Sequence, residues 1–409
     1  MNSAGIGRMC QTRNTRSENY MKVGILTYHF SDNYGALFQA YALRKWFLDQ
    51  GVPAEFVNYH PSYVEEGGPL DQPWKPALWR KNATICYMHL SHLRRQLFDN
   101  GTQRAAFDGF RRRSLGVSGP RLRNAEALAA NMADFDMLVC GSDQIWNPSI
   151  QRGLDPIYFL EIGGADHAHK VAYAPSFGRS AIEPRYHTEL GNLLRGLDGI
   201  SVREASGLEI LKNAGLPLDR ARVVPDPTIL LGSFDAFLLG NVTPDDSVFC
   251  YALRTDQVIR EVAETAADLA DGPLYSPQSS RQRWRDIGQG VAPGPVDWLR
   301  MLASAQLVVS NSFHGIALSI VLNQPFIAVA LPGKRAGMNA RARNLLTLTG
   351  LTDRMLETAD PIEIQRLIKS PINWEGPNAR LAAMRAEGET YLNFEILAAG
   401  SRSREATSI

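Results

Sequence analysis

Residues 22–59 read KVGILTYHFSDNYGALFQAYALRKWFLDQGVPAEFVNY and contain a complete strand–helix–strand unit. The apolar run 22–28 predicts a buried strand, and the polar loop after it leads into residues 34–50, whose apolar side chains recur at helical spacing. Gly51 ends that helix, and residues 54–59 form a second extended run. A strand, a helix and a second strand in this order predict a right-handed βαβ unit with parallel strands.

Similar short, mostly apolar runs follow along the chain, several of them closed by Gly, Pro or Arg. In the first half they predict buried parallel strands at 136–140, 170–174, 199–202 and 222–224. In the second half the pattern predicts strands at 247–253, 306–310 and 325–331 and helices at 258–269 and 315–322. Strands and helices that alternate in this way predict an α/β fold of two Rossmann-like, doubly wound lobes.

The length of 409 residues is enough for two such lobes. We predict five parts: a disordered N-terminal extension, an N-terminal lobe, a basic helical insertion within that lobe, a C-terminal lobe, and C-terminal helices with a tail. Their predicted ranges are, in that order, 1–20, 21–195, 75–125, 196–350 and 351–409.

Charge and composition limit the class of function. The sequence has 43 Lys and Arg against 42 Asp and Glu, so it lacks the overall positive field expected of a protein that coats nucleic acid. Hydrophobic residues make up 44% and charged residues 21%, which is ordinary for a folded globular protein. Any anionic ligand must therefore be held by a local site, and we predict no nucleic-acid partner.

The four cysteines lie far apart and form no C-x-x-C pair, which argues against a disulfide framework or a zinc knuckle. The N-terminal region has no apolar stretch of signal-peptide length, and no later stretch reaches the ~18 apolar residues of a membrane span. We therefore expect a cytoplasmic protein, with peripheral contact at the inner face of the plasma membrane as a further hypothesis.

One segment departs from the neutral charge balance. Residues 80–123 contain ten Lys and Arg against two acidic residues, with aromatic residues interspersed. One interpretation is a solvated basic helical insertion. The other is a surface that rests on an anionic membrane or meets an anionic substrate, and Arg111, Arg112 and Arg113 are the candidates for that contact.

The most informative loop is 310–315, SNSFHG, which follows an apolar strand and precedes a helix. His314 therefore lies at a helix N-terminus, where free backbone N–H groups and the helix dipole favour an anion. A bound phosphate or carboxylate would in turn favour the protonated imidazole, which is a general acid. The alternative is a histidine that only fills the core or caps the helix.

Two further loops carry arginines. Arg203 comes directly after an apolar strand, and its planar guanidinium suits a carboxylate or a phosphate. The alternative is a salt bridge with Glu204, which the alternating directions of side chains on an extended chain make less favourable. The loop 332–344 contains four cations, including Arg335 and Arg341, and reads either as an anion clamp or as a solvated charge run.

Small polar residues fill two other loops, 31–36 and 141–147. In the first, Gly35 allows a ligand to approach the backbone closely. In the second, Asp143 is a candidate to orient a sugar hydroxyl or to act as a base, and Trp146 is a candidate to stack on a sugar ring. Loops of this composition are also ordinary turns.

Several common catalytic motifs are missing from the sequence. It contains no G-x-G-x-x-G, Walker A, G-x-S-x-G or H-E-x-x-H pattern, which disfavours dinucleotide oxidoreductases, P-loop kinases, α/β-hydrolases and zincins. The eight histidines are scattered without an obvious ligand set. We predict neither a metal nor a cofactor.

Taken together and in chain order, these loops resemble those of the polysaccharide pyruvyl transferase family. The matching stretches run from residue 22 to about 350, and although each is short, their joint order is specific. They are GILT (24–27), NYGA (33–36), QAYAL (39–43), GSDQIWNP (141–148), YAPSFG (173–178), VRE (202–204), DPT (226–228), NSFHG (311–315) and NAR (339–341).

The resemblance implies two glycosyltransferase-B-like (GT-B-like) lobes with the active site in the cleft between them, and a role in exopolysaccharide biosynthesis for the cell envelope. It implies a transferase that moves the pyruvyl unit of phosphoenolpyruvate onto a sugar of a polysaccharide or lipid-linked oligosaccharide, forms a pyruvate ketal and releases phosphate. In the family the C-terminal lobe holds the donor, with a histidine at the position of His314 and an arginine at that of Arg203. Some members have an arginine at the position of Ser312, so Arg341 or Arg335 is the candidate to replace it here.

The residue pattern and the resemblance lead to one hypothesis for the site. His314 is the general acid that protonates the donor's methylene carbon, and Asp143 is a base for a sugar hydroxyl. The candidate donor-binding residues are Arg203, Arg341, Arg335, Ser312 and Gly315. The candidate acceptor-binding residues are Asn33, Tyr34, Gly35, Asp143, Gln144, Trp146 and Ser176. Three alternatives remain open. They are a nucleotide-sugar-dependent GT-B glycosyltransferase, a related family member that attaches the pyruvyl unit as an enol ether or uses another donor, and a catalytically silent member of a polysaccharide assembly complex.

Overall fold

The structure is a computed structural model that describes residues 21–65, 70, 72–79, 82–87, 89–90, 101–240, 242–278 and 287–407. Its described strands form two six-stranded sheets in which every neighbouring pair is parallel. The predicted fold class of two Rossmann-like, doubly wound lobes is confirmed. The predicted disordered extension, 1–20, lies outside the described residues.

The first sheet has the strand order β2-β1-β3-β4-β5-β6. Its strands are β1 (Val23–Leu26), β2 (Ala54–Phe56), β3 (Met137–Cys140), β4 (His169–Ala172), β5 (Gly199–Val202) and β6 (Ala221–Val223). The second sheet has the order β12-β11-β10-β7-β8-β9. Its strands are β7 (Val248–Tyr251), β8 (Leu274–Pro277), β9 (Gln289–Val291), β10 (Leu307–Ser310), β11 (Phe326–Val329) and β12 (Met355–Leu356).

Helices cover the sheets and join their strands. In the first half of the chain they are α1 (Tyr34–Asp49), α2 (Ser62–Glu65), α3 (Gly101–Arg113), α4 (Ala125–Ala129), α5 (Pro148–Gln151), α6 (His187–Leu194), α7 (Ala205–Asn213), α8 (Pro227–Leu231) and α9 (Asp235–Leu238). In the second half they are α10 (Gln257–Ala270), α11 (Pro295–Ser304), α12 (Phe313–Val321), α13 (Asn339–Thr349), α14 (Pro361–Lys369) and α15 (Glu375–Thr407).

The central strands are buried over their whole length, which explains why they read as continuous apolar runs. β1 is VGIL and β3 is MLVC, and all four residues of each are buried. In the second sheet, β10 and β11 are equally buried. A parallel sheet with helices on both faces has no solvated side, so its strands lose the polar alternation of an antiparallel sheet.

The predicted boundary between the lobes, at 195/196, is wrong. β5 and β6 follow that boundary, yet they pair with β4 and with each other and so complete the first sheet. The first sheet therefore extends to Val223, and the second sheet begins at Val248. The strand–helix repeat is the same in both lobes, so the sequence pattern alone does not assign a strand to one sheet or the other.

The C-terminal helix α15 returns to the first lobe. Tyr391 Oη donates a hydrogen bond to the Ala172 carbonyl at 3.0 Å. Glu395 lies 2.7 Å from His169 Nε2, and both side chains are buried. Because α15 follows the second sheet in the chain and packs on a strand of the first, it ties the two lobes together.

The lobes also meet near the N-terminal end of α1. The Tyr34 ring stacks on Trp298 of α11, with ring centroids 4.9 Å apart. Tyr34 Oη donates a hydrogen bond of 2.9 Å to the Pro293 carbonyl, and Gln103 of α3 donates one of 3.1 Å to Tyr34 Oη. These contacts bring the loop after β1 against the second lobe.

Candidate active site

Charged side chains converge where the loops after the strands of the two sheets face each other, the usual ligand-binding edge of a parallel sheet. In the first lobe, Arg203 follows β5 and Asp226 follows β6. In the second lobe, His314 lies in the first turn of α12 and Arg341 in the first turn of α13. All four are buried. The structure thus brings together three residues predicted for the site and adds Asp226.

Asp226 joins the two lobes. One of its oxygens, Oδ1, caps α8 by accepting hydrogen bonds from the Thr228 backbone N–H at 3.0 Å and from its hydroxyl at 2.8 Å. The other oxygen, Oδ2, accepts a hydrogen bond of 2.9 Å from Arg203 Nη1 and one of 3.4 Å from Ser142 Oγ. The same oxygen lies 3.5 Å from His314 Nε2, across the junction between the lobes.

The electrostatic surroundings keep Asp226 ionised. Burial by itself would raise the pKa of this carboxyl, but His314 and Arg203 outweigh it and hold the pKa well below its usual range. Asp226 therefore places a permanent negative charge beside the His314 imidazole.

Arg203 is buried and makes two ion pairs. Its Nε lies 3.0 Å from Glu204 Oε1 and its Nη1 lies 2.9 Å from Asp226 Oδ2. The sequence argument against an Arg203–Glu204 pair is wrong, because both residues lie beyond the end of β5 and their long side chains reach each other. Burial lowers the pKa of the guanidinium, but Glu204, Asp226 and Asp143 outweigh it and raise the pKa above its ordinary value.

Arg341 makes no ion pair of this kind with any residue that the structure describes. Burial and the nearby charge of Arg203 lower its pKa to about 10, although Glu204 and Asp143 act in the opposite direction. Its guanidinium lies 5.9 Å from the centre of the Phe313 ring, and that of Arg203 lies 4.3 Å from the same centre. Two buried guanidinium groups beside one ring repel each other, and this repulsion destabilises the folded protein unless an anion binds between them.

The loop before Arg341 is fixed by Asn339. Its Oδ1 accepts a hydrogen bond of 2.8 Å from the Leu331 N–H, and its Nδ2 donates one of 3.0 Å to the Leu331 carbonyl. These two bonds hold the start of α13 against the end of the loop after β11. Arg335 belongs to the 3₁₀ turn Gly333–Met338 within this loop, but its side chain lies outside the described part of the structure.

His314 packs directly on the first turn of α1. A Cβ atom added to Gly35 would lie 2.6 Å from His314 Cβ and would overlap the imidazole ring. Gly35 is therefore required for this close contact between the lobes, which the sequence interpretation assigned instead to a ligand. A relation to the acceptor stays a prediction for Gly35.

The start of α12 offers free backbone donors beside His314. Ser312 occupies the N-cap position, but its side chain makes no capping hydrogen bond. The first N–H groups of a helix have no partner within the helix, and they attract anions. A Cβ atom on Gly315 would lie 2.9 Å from Tyr251 Cδ1 and would overlap Ser310 Oγ, so only glycine fits there.

Asp143 lies near the same cluster. It follows β3 with a positive φ of 63°, and its carboxylate accepts a hydrogen bond of 2.8 Å from the Gln144 N–H. The charge of Asp143 is among the causes that raise the pKa of Arg203 and oppose the lowered pKa of Arg341. It is only partly buried, so it is the carboxylate of the group that a substrate can reach.

Three of the predicted acceptor residues have other partners in the described structure. Asn33 caps α1, where its Oδ1 accepts a hydrogen bond of 3.0 Å from the Ala36 N–H. Ser176 Oγ is buried and donates a hydrogen bond of 2.9 Å to Glu204 Oε1, so it orients the partner of Arg203. Gln144 is partly buried and accepts a hydrogen bond of 2.8 Å from Asn147. Their contact with an acceptor stays a prediction.

Two aromatic residues predicted to meet the acceptor lie in the core. The Trp146 indole is fully buried, stacks on Phe159 at 4.8 Å between ring centres, and donates its N–H to the Tyr158 carbonyl at 2.9 Å. The Tyr34 ring is sandwiched at the contact between the lobes, as described above. Both positions favour a packing role over the predicted contact with a sugar, because no ring face is exposed.

Asp226 is the main site residue that the sequence interpretation missed. The sequence did contain a signal, since Asp226-Pro227-Thr228 follows an apolar run. That tripeptide also reads as an ordinary helix start, with Asp as the cap and Pro in the first turn, and Asp226 does have this role. Phe313, whose ring lies beside both guanidinium groups, gave no signal beyond its place in the loop.

The arrangement is built to receive an anion. Among the described residues, two buried guanidinium nitrogen atoms of the cluster, Arg203 Nη2 and Arg341 Nε, have no hydrogen-bond partner, and His314 Nε2 has only the contact of 3.5 Å with Asp226 Oδ2. An unpaired buried donor on a charged group costs free energy, and the cost disappears when an acceptor binds. Glu204 and Asp226 balance Arg203, which leaves Arg341 and the helix start at His314 to attract the ligand.

The described residues lack two features that would point to other functions. They contain no group of three or more His, Cys, Asp or Glu side chains that could hold a metal ion. They also contain no helix that is both long and apolar enough to cross a membrane.

Several solved enzyme structures have a similar fold. The UDP-N-acetylglucosamine 2-epimerase from Rickettsia bellii is 11% identical, with a TM-score of 0.52, and the match covers 94% of this chain and 98% of that chain. The UDP-N-acetylglucosamine 2-epimerase from Neisseria meningitidis has a TM-score of 0.43 and is 10% identical, and the match covers 91% of this chain and 99% of that chain. The glycotransferase of kitacinnamycin has a TM-score of 0.43 and is 12% identical, and the match covers 94% of this chain and 98% of that chain. The similarity to the Rickettsia bellii enzyme, together with the two parallel sheets, shows the fold alone, which is a two-lobe GT-B architecture.

The family follows from the sequence. The model of the polysaccharide pyruvyl transferase family matches residues 33–331, which include all four converging residues except Arg341. The chain belongs to this family and is a transferase that acts on a polysaccharide. A search of curated proteins finds no match for the chain.

Proposed function

We propose that the protein transfers the pyruvyl unit of phosphoenolpyruvate to a sugar of a polysaccharide or lipid-linked oligosaccharide, forms a pyruvate ketal and releases phosphate. The observation that carries the proposal is that two buried guanidinium nitrogen atoms without a hydrogen-bond partner, on Arg203 and Arg341, converge beside His314. A small, highly charged anion satisfies both at once. Phosphoenolpyruvate, with a carboxylate and a phosphate on one short frame, has that charge and size.

Arg341 is the main donor-binding residue in this proposal. Its charge is the one in the cluster that no close carboxylate neutralises, so it gains most from a bound phosphate or carboxylate. The backbone N–H groups at the start of α12 bind a second part of the anion. Arg203 contributes only Nη2, because its other two nitrogen atoms already contact Glu204 and Asp226.

Arg341 also replaces the arginine that the resemblance leads one to expect at Ser312. It comes from α13 rather than α12, but the ring of Phe313, the residue after Ser312, lies 5.9 Å from its guanidinium. The Arg341 guanidinium on α13 therefore lies near the position where an arginine at residue 312 would place its charge.

His314 is the general acid of the reaction. Its protonated imidazole gives a proton to the methylene carbon of the donor, which leaves an oxocarbenium-like centre at the adjacent carbon. A hydroxyl of the acceptor adds to that centre, phosphate leaves, and a second hydroxyl of the same sugar closes the ketal. The two hydroxyl protons restore the imidazolium and accompany the phosphate, so the reaction is balanced in protons.

Asp226 and Asp143 have different roles in the reaction. Asp226 is fully buried and cannot meet the substrate, so its role is to position the His314 imidazole. Asp143 is partly buried and beside the arginines, and it takes the proton of the attacking hydroxyl. The two carboxylates are suited to different roles because only one is accessible.

The test is a turnover assay with purified protein, phosphoenolpyruvate, and nitrophenyl or lipid-linked sugars. We expect phosphate release and a product that is heavier by one pyruvate ketal. The His314→Ala variant should lose most of the rate, and an undiminished rate would remove the general acid from the account. Turnover of a nucleotide sugar instead would assign the chain to glycosyl transfer, and no turnover of either donor would favour a silent member of an assembly complex.

A further inference from the structure

A fully buried glutamine, Gln39, lies on α1 at the start of the stretch QAYAL (39–43). A buried amide needs a partner for each of its polar atoms. Its Nε2 donates hydrogen bonds of 2.8 Å to Thr27 Oγ1 and of 2.9 Å to the Ala36 carbonyl. Its Oε1 accepts one of 3.1 Å from the Ser142 N–H. The Gln39 amide therefore connects its own helix with the loops after β1 and β3.

Gln39, Thr27 and Ser142 form a closed set of hydrogen bonds, which we call the Gln39 network. The Thr27 hydroxyl accepts from Gln39 and donates to the Ser142 carbonyl at 3.4 Å. Both backbone groups of Ser142, its N–H and its carbonyl, are thus bound within the network. All three residues are buried, so water does not compete for these bonds. The network therefore fixes the peptide groups on both sides of Ser142.

The next residue along the chain is Asp143, whose backbone conformation needs such support. Its φ of 63° lies in the left-handed region, which costs a residue other than glycine free energy unless the surrounding contacts enforce it. On its other side, the Asp143 carbonyl accepts a hydrogen bond of 2.8 Å from the Ser176 N–H. The backbone is therefore held before and after Asp143, and the direction in which its carboxylate leaves the chain is set.

The side chain of Ser142 links the same network to the ion pairs of the candidate site. Its Oγ donates a hydrogen bond of 2.7 Å to the Ala174 carbonyl and one of 3.4 Å to Asp226 Oδ2. Ser142 thus lies between Asp143, which follows it in the chain, and Asp226, which contacts its hydroxyl. A shift of the Ser142 backbone would displace the Asp143 carboxylate directly.

We propose that Gln39 is a positioning residue for the reaction, which acts through Thr27 and Ser142 to aim the Asp143 carboxylate at the attacking hydroxyl. The inference rests on the proposed function for the role of Asp143 as the base. The Gln39 network itself requires neither donor nor acceptor, so its hold on the loop 141–147 can be measured alone. Arg341 belongs to α13 of the second lobe, and donor binding should therefore not depend on the network.

The main variant is Gln39→Met in the full chain, which keeps the length of the side chain and removes its hydrogen bonds. We expect kcat with phosphoenolpyruvate and a nitrophenyl sugar to fall about 30–100-fold, as a misplaced catalytic group typically costs. The KM for phosphoenolpyruvate should stay close to that of the unmodified protein. Gln324→Met is the matched control, because the Gln324 amide also donates to a backbone carbonyl, that of Ala303. Gln324 precedes β11 and so lies at the opposite edge of its sheet from the site.

A second pair of variants tests the same network without changing Gln39. Thr27→Val keeps the shape of the side chain and removes its hydroxyl, and it should lower kcat at least about tenfold. Thr27→Ser keeps the hydroxyl and should restore kcat. The double variant Gln39→Met/Thr27→Val should be little slower than Gln39→Met, because residues of one hydrogen-bond network do not act additively. Amide hydrogen exchange, measured by mass spectrometry without substrates, should be faster over 141–147 in Gln39→Met and unchanged in Gln324→Met.

Three results would overturn the positioning role: equal kcat values for Gln39→Met and Gln324→Met, equal losses in Thr27→Val and Thr27→Ser, or a loss of phosphoenolpyruvate binding in Gln39→Met that matches the loss of kcat. The last result would mean a general collapse of the cleft. If Gln39→Met does not fold, the two Thr27 variants decide the question. Normal turnover in every variant rejects the positioning role alone. Faster exchange over 141–147 in Gln39→Met, with no turnover by the unmodified protein, rejects the proposed function alone.

Discussion

The replacement Asp226→Asn removes one charge from the centre of the candidate site and almost nothing else. The amide keeps the size of the side chain, and its oxygen can still accept the hydrogen bonds of Thr228 that cap α8. On the other side, the new NH₂ group would face Arg203 Nη1 and His314 Nε2, which are themselves donors when the imidazole is protonated. An attractive contact thus becomes a repulsive one.

The distances set the expected magnitude. At an effective dielectric constant of about 20, unit charges about 4 Å apart interact by roughly 4 kcal/mol. Removing one partner of a buried ion pair typically costs about 3–5 kcal/mol, and we take the lower end because Arg203 keeps Glu204 at 3.0 Å. We therefore expect the free energy of unfolding to fall by about 3 kcal/mol, and kcat to fall about 100-fold because the protonated imidazole loses its counter-charge.

The pH dependence has a definite sign. The pKa of Asp226 is lowered in the folded state, so its contribution to stability is present above the unfolded pKa and is lost as the pH falls through the folded pKa. Asp226→Asn should abolish that acid-side loss.

The assays are urea unfolding and steady-state kinetics with phosphoenolpyruvate. Glu209→Gln is the control, since Glu209 is exposed and pairs only with Lys212 at the surface, and its replacement should change stability by less than about 0.5 kcal/mol. If Asp226→Asn does not fold, Thr228→Val is a milder replacement that removes only the hydroxyl donor to Asp226. A kcat within twofold of the unmodified enzyme would refute the positioning role.

Two other substitutions test separate parts of the site. Gly35→Ala should lower kcat at least tenfold and reduce the free energy of unfolding by about 2 kcal/mol, because its Cβ would overlap His314. Gly376→Ala is the control, since a Cβ there meets no atom within 4 Å. In the same urea titration it should be neutral or slightly stabilising. Arg341→Gln should raise KM for phosphoenolpyruvate by about 30–100-fold, as expected for a lost charge-assisted contact. It should leave the ligand-free protein as stable as before or more stable, because it removes an uncompensated buried charge. Arg343→Gln, an exposed neighbour paired with Glu357, should change neither value, and an equal loss in both variants would contradict a specific donor contact.

The strands of the central sheets could be predicted from the sequence because they are buried on both faces. The prediction of 199–202 matches β5, and 306–310 differs from β10 by one residue. The strands β8, β9 and β12 were missed. They lie at or next to the edge of the second sheet, are two to four residues long and are only partly buried, so their apolar signal is weak.

The site could be predicted only in part. Arg203, His314 and Arg341 were found because a cation after an apolar strand or at a helix start is costly without an anion, and the structure brings these three together. Trp146 was placed at the acceptor because an aromatic residue in a polar loop gives the same pattern whether its ring faces a cleft or the core. Asp226 was missed because a helix cap and an ion-pair partner have the same sequence signature.

Calorimetric titration of the purified chain with phosphoenolpyruvate tests the central claim most directly, because it asks whether the cluster at the lobe junction binds this anion before any chemistry. We expect one binding site per chain, an affinity that falls with added salt, and loss of the signal in Arg341→Gln but not in Arg343→Gln. Binding of a UDP-sugar with no heat from phosphoenolpyruvate, or equal binding by Arg341→Gln, would contradict the assignment.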